Sequence, residues 1–84
     1  MLELYQSEDC PYSTKVREKL AELGVSYIIH NPRYANGDVR NDQTYEDLLS
    51  IGGEDQVPFL LDRIQEETLY ESDVIIEYLD EQYG

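Results

Sequence analysis

A single cysteine, Cys10, stands among the 84 residues. One thiol cannot form an intrachain disulfide, so the disulfide-dense secreted scaffolds are excluded. Basic residues are also scarce: six lysines and arginines face nineteen aspartates and glutamates, for a formal charge of -13. A field of that sign repels phosphate backbones and anionic lipid, which argues against nucleic acid and membrane surfaces as partners. No stretch approaches the roughly 20 apolar residues of a membrane span, and the amino terminus has neither the basic segment nor the apolar run of a signal peptide. The expected setting is a reducing cytoplasm.

Internal repeats, low-complexity tracts and linkers are missing too, so residues 1–84 read as one small domain with a single core, expected to be a monomer. Disorder does not follow from the acidity. Hydrophobic residues make up 40% of the chain, eight of them tyrosines, and they fall in regular patterns. An acidic surface of this kind suits concentrated internal salt, where screening over about 3 Å relieves the repulsion between carboxylates. The charge therefore speaks of a salt-adapted, halophilic habitat rather than of an activity.

Leu2 and Leu4 alternate with Glu3 in a short strand that runs into the polar segment Gln6 to Asp9. Pro11 suits the first turn of a helix, and Val16, Leu20 and Leu23 give that helix one apolar stripe before Gly24 stops it, which predicts a helix over about residues 11–23. Val25, Tyr27 and Ile29 mark a second strand, parallel to the first because a helix crosses between them. A turn-rich loop from Asn31 to Asn41 leads to a second helix carrying Tyr45, Leu48 and Leu49 and ending at Gly52 and Gly53. Val57 to Leu61 is an apolar run interrupted by Pro58, Thr68 to Tyr70 a brief antiparallel return strand, and Ser72 the expected cap of a last helix that buries Val74, Ile75, Tyr78 and Leu79. The order β-α-β-α-β-β-α predicts an α/β layered domain with a four-stranded mixed sheet flanked by three helices.

Chemistry centres on Cys10. At a helix start its sulfur lies near free backbone N–H groups and the positive end of the helix dipole, which favours thiolate; Lys15 and Arg17 add to that potential, while Glu8 and Asp9 oppose it. A free cysteine is often a small buried hydrophobe, but the polar approach from Ser7 to Asp9 and the helix-starting Pro11 point to an exposed, reactive thiol. Ser13 stands where a second cysteine would complete a dithiol pair; its hydroxyl could at most donate a hydrogen bond to the sulfur.

The segment Cys10-Pro11-Tyr12-Ser13, the Val57-Pro58-Phe59 triplet and the run from Thr68 to Gly84 resemble a glutaredoxin of the monothiol type, and the last segment also resembles the amino-terminal, thiol-binding domain of glutathione transferases. The resemblance spans essentially the whole chain and implies a thioredoxin-like fold. It implies a cis peptide bond between Val57 and Pro58, with the Val57 backbone pairing with the cysteinyl backbone of a bound thiol. It further implies that Glu71 and Ser72 hold the γ-glutamyl end of that thiol and Asp73 its ammonium group, with no resident cofactor and no metal. The implied activity is thiol-disulfide exchange at Cys10, supported by Pro11, Tyr12 and Ser13, with a low-molecular-weight thiol as cosubstrate and thiolated or disulfide-containing proteins as partners.

One departure bears on which thiol. Many glutaredoxins carry a cation three residues before the active cysteine for the glycine carboxylate of glutathione; here that position is Ser7, so γ-glutamylcysteine, which has no glycine, is the alternative cosubstrate. Two other functions stay open: an iron-sulfur carrier in which Cys10 of two protomers and two small thiols complete the ligation, and a non-catalytic interaction module that keeps only the fold. Pro11, where cluster-binding relatives usually have glycine, ranks the carrier lower. Among the remaining residues, Tyr5 reads as packing and His30 as solvent-facing. Arg33 and Arg40 are free either to reach a thiol's carboxylate or to pair with surface acids.

Overall fold

The computed structural model describes all residues from Met1 to Gly84. Its elements are β1 (Leu2–Tyr5), α1 (Pro11–Leu23), β2 (Tyr27–His30), α2 (Asp42–Gly52), β3 (Phe59–Asp62), β4 (Glu67–Tyr70) and α3 (Ser72–Tyr83), in the expected order. The sheet runs β2-β1-β3-β4, with β1 parallel to β2 and antiparallel to β3, and β3 antiparallel to β4. This is the thioredoxin-like arrangement.

Local chemistry sets the helix ends. Pro11 opens α1, and Gly24, at a φ of 69°, closes it: the Gly24 N–H reaches Ala21 O and the Val25 N–H reaches Leu20 O, both at 3.1 Å. Val25 is thereby spent on the helix end, and β2 begins only at Tyr27. Asn41 caps α2, its Oδ1 accepting from the Thr44 N–H at 2.9 Å. In the last helix the expectation is corrected by one residue: Ser72 is the first helical residue, while Glu71 occupies the cap with a φ of 72° and no side-chain cap bond.

Period-two alternation divides the core between the two faces of the sheet. On one face Leu2, Leu4 and Leu60 pack against Val16 and Leu20 of α1 and Ile75 and Leu79 of α3. On the other, Tyr5, Phe59 and Leu61 pack against Leu48 of α2. Each fully buried leucine contributes roughly 1.5 to 3 kcal/mol, so these clusters hold the helices to the sheet. Glu3, on the α2 side of β1, is buried as well. Its Oε1 lies 2.8 Å from His30 Nε2 and its Oε2 accepts from Arg63. Burial works against its charge, but these two partners outweigh it and hold its carboxyl below the usual range. No helix is long and apolar enough to cross a membrane.

Candidate functional site

The turn that carries Cys10 is tied down by its own polar groups. The Ser7 N–H donates to Ser13 Oγ at 3.2 Å, the Cys10 N–H to Ser7 O at 3.1 Å, and Gln6 Nε2 to Asn31 Oδ1 at 2.5 Å. Asp9 Oδ1 accepts from the Ser7 hydroxyl and, at 3.0 Å, from the Ala35 N–H. A polar sequence is thus not a solvated one here: Gln6, Ser7 and Ser13 are buried, and Cys10 is only 7% exposed. The expectation of an exposed thiol is corrected on that ground. Ser13 serves the turn by accepting from Ser7, and Arg17 faces Gln6, Ser7 O and, at 3.3 Å, Glu8, so its charge is partnered beside the turn. Lys15 lies 5.7 Å from the centroid of the Tyr12 ring.

Val57 and Pro58 are joined by a cis peptide bond, as the resemblance implied. Because a proline offers no N–H to a ladder, regular pairing starts one residue later, at Phe59. Phe59 pairs in register with Tyr70, which brings the Val57-Pro58 step against Glu71 and the amino terminus of α3. Between them lies a cleft of about 390 Å³ lined by Tyr12, Gln56, Val57, Pro58, Glu71, Ser72 and Asp73.

The cleft therefore gathers Tyr12 of α1 with all five residues expected to bind a thiol. Cys10, Pro11 and Ser13 do not line it. Gln56 was missed by sequence reasoning; its Nε2 donates to Glu71 Oε1 at 3.1 Å, and its only signal was its place next to Val57. Where Ser72 and Asp73 line the cleft, the first N–H groups of α3 have no intrahelical partner and present the positive end of the dipole. Ser72, 7% exposed, adds a hydroxyl that no hydrogen bond ties to the protein. Such a terminus receives a carboxylate. Asp73 stands exposed in the same first turn.

Other candidates have structural occupations. Tyr5 stacks on His30 with centroids 4.4 Å apart and meets Phe59 at 5.8 Å, so it packs; burial, then the Glu3 and Asp47 charges, push its hydroxyl pKa up. His30, expected to face solvent, instead bonds Glu3 and covers Tyr5, because Glu3 is buried beside it. Arg33 pairs with Asp55 at 2.7 Å, and Arg40 lies 4.9 Å from the centroid of Tyr34. No group of three or more His, Cys, Asp or Glu side chains is gathered to hold a metal ion.

Comparison with known proteins adds the family. The family described as "Glutathione S-transferase, N-terminal domain" matches residues 4–84. A stringent starvation protein A homolog of Coxiella burnetii is 39% identical over 83 residues, which are 99% of this chain and 35% of that protein. Among solved structures, glutathione S-transferase isozyme E7 of Drosophila melanogaster superposes with a TM-score of 0.78 at 29% identity, covering 100% of this chain and 35% of its own. A diazinon-metabolizing glutathione S-transferase of the silkworm Bombyx mori gives 0.77 at 28%, covering 99% and 38%. The chain spans about a third of the length of these relatives. It is the transferase side of the expected resemblance that these matches carry, and the chain belongs to the glutathione S-transferase N-terminal domain family.

Proposed function

We propose that this domain binds a small γ-glutamyl thiol, glutathione or γ-glutamylcysteine, in the cleft between the Val57-Pro58 step and α3, and that Cys10 exchanges with disulfides of that thiol. The observation that carries the reading is the cleft itself, which joins a free backbone edge at Val57 to a helix amino terminus with Ser72 and Asp73. The thiol's α-carboxylate lies on the first N–H groups of α3 and the Ser72 hydroxyl, its ammonium faces Asp73, and its cysteinyl amide pairs with Val57. In the exchange, the Cys10 thiolate attacks the thiol-derived sulfur of a mixed disulfide; the new disulfide joins Cys10 to the small thiol, and the substrate protein leaves as thiolate. A second small thiolate then attacks the small-thiol sulfur of that bond, forming the small-molecule disulfide and returning Cys10 as thiolate. The net charge of -13 supports a salt-rich setting, and the single cysteine a reducing one.

A second reading has its own observation. Cys10 is 7% exposed and absent from the cleft lining, which favours a thiol-binding module that performs no exchange. Calorimetric titration of both thiols into Cys10→Ser protein, with mixed-disulfide reduction by the unaltered protein, separates the two. Binding together with turnover that the substitution abolishes supports exchange; binding without turnover supports the module. Absence of binding overturns the cleft as the thiol site.

A further inference from the structure

The cleft carries two carboxylates, Glu71 and Asp73, and no lining cation. Neither carboxylate has a salt-bridge partner; Glu71 receives only the neutral amide of Gln56 at 3.1 Å. One of them suffices for the single ammonium of a γ-glutamyl thiol. The other stands uncompensated beside whatever else the ligand brings.

All six basic side chains of the chain can be accounted for. Arg17 pairs with Glu8, Lys19 with Asp80 at 2.6 Å, and Arg63 with Glu3. Arg33 follows the same pattern, although Asp55 adjoins the cleft residue Gln56: its guanidinium donates to the Asp55 carboxylate and to the carbonyls of Tyr34, Ala35 and Asp55. Arg40 stands over Tyr34 and Lys15 over Tyr12, and neither lines the cleft. Among the cleft's groups, only the amino terminus of α3 carries positive potential for an anion, and the hydroxyl of Ser72, a residue 7% exposed, stands there with no bond to the rest of the protein. That is one receptor. Glutathione and γ-glutamylcysteine each carry two carboxylates, since γ-glutamylcysteine keeps a free one on its cysteine.

We infer that the cleft selects γ-glutamyl thiols whose terminal carboxylate is capped as an amide, and disfavours those in which it is free. The inference rests on the cleft being the thiol site. An amide cap removes the second negative charge, leaves the γ-glutamyl end unchanged, and supplies an N–H that Glu71 can accept. A cap ending in an amine gains further from the same carboxylates.

The test is titration of Cys10→Ser protein with reduced glutathione, glutathione amide and the glycine ethyl ester of glutathione, at low and at molar salt. At low salt the amide and the ester should bind roughly fivefold more tightly than glutathione, as expected for relief of one like charge at about 4 Å in water. The difference should shrink in molar salt and in Glu71→Gln protein, which removes the uncompensated carboxylate and keeps Asp73 for the ammonium. Equal affinities, or tighter binding of glutathione, overturn the selectivity and leave the cleft as thiol site intact. A drop in glutathione affinity in Lys15→Gln protein also overturns it, by revealing a cation that serves the terminal carboxylate. If none of the three binds, the thiol site itself falls, and the selectivity with it.

Discussion

Asp62, fully buried at the end of β3, accepts a 2.7 Å hydrogen bond from the hydroxyl of Tyr78 on α3. The same Oδ2 accepts from Tyr83 at 2.7 Å, while Oδ1 takes the N–H groups of Ile64 and Gln65 at 3.0 and 3.2 Å. One carboxylate thus joins the β3–β4 turn to the helix that opens at the cleft. Burial opposes its charge, but the two tyrosines and the two amides outweigh that opposition and hold its carboxyl below its ordinary value of 3.8. With the folded value depressed, the stability it contributes is present above the unfolded value and lost as pH falls through the folded one. Urea midpoints should therefore drop below about pH 4 in the unaltered protein and drop less in Asp62→Asn. Equal acid sensitivity in the two proteins would show that Asp62 does not couple protonation to folding.

At the alkaline end the sign reverses. The hydrogen bond to Asp62, then burial, push the Tyr83 hydroxyl from 10.0 up to about 12, and Tyr78 is pushed further up by burial first and Asp62 second. A raised tyrosine stabilises the fold in its neutral form below its unfolded value, and that contribution is lost as pH rises through the folded one. Titration of tyrosinate absorbance should show Tyr78 and Tyr83 ionising last, near alkaline unfolding. Tyr78→Phe should remove one late transition and lower stability at neutral pH by about 1.5 to 3 kcal/mol, the usual loss of a hydrogen bond to a charged group.

Gly52 is required by space rather than by backbone angle. A methyl there would overlap the Tyr70 hydroxyl and come within 3.1 Å of the Phe59 ring. Tyr70 Oη is held by the Glu54 N–H at 3.1 Å and donates to Glu54 O at 2.9 Å, so it has little freedom to move. Gly52→Ala should lower stability by about 1 to 3 kcal/mol, as overpacking does. Because Phe59 and Tyr70 pair beside the cleft, thiol affinity measured by calorimetry should fall as well.

Glu71 holds a left-handed φ of 72° at the start of α3. A β-branched residue tolerates that angle poorly, and Glu71→Val should cost about 1 to 3 kcal/mol, whereas Glu71→Gly should stay within about 1 kcal/mol of the unaltered protein. Both lose the bond to Gln56 and one uncompensated carboxylate, so glutathione should bind Glu71→Gly at least as tightly as it binds the unaltered protein. Thermal unfolding of the two variants, compared with calorimetry, distinguishes strain from binding.

Cys10→Ala should abolish mixed-disulfide reduction while the chain still folds and binds thiol, since removal of a small side chain at a helix cap costs on the order of 1 kcal/mol. Turnover in the variant would end the assignment of exchange to Cys10.

Much of this molecule was legible from residue order. Pro11 and Gly24 bracket α1 because a missing N–H and a left-handed φ suit those two places alone, and the apolar period of Val16 and Leu20 marked its buried face. The site was legible to a lesser degree. Val57, Pro58, Glu71, Ser72 and Asp73 came from motif likeness, and the register of Phe59 with Tyr70 is what makes them neighbours. Glu3, Gln6 and Ser7 are polar yet buried, and His30, expected to face solvent, is half-buried. Their partners come from other elements or from the turn itself, His30 and Arg63 for Glu3, Asn31 and Arg17 for Gln6, Ser13 and Asp9 for Ser7, and pairing of that kind leaves no periodic trace.

By itself, the sequence determined the element order, the two ends of α1, the acidic composition and the absence of any intrachain disulfide, all of which follow from near-neighbour chemistry and composition. Tertiary structure alone decided that Cys10 turns inward, that Asp62 joins two tyrosines, and that the cleft holds two carboxylates without a cation. The physical reason is reach: a side chain's burial and its charged company depend on which strands and helices are brought beside it, and the sequence does not state those distances.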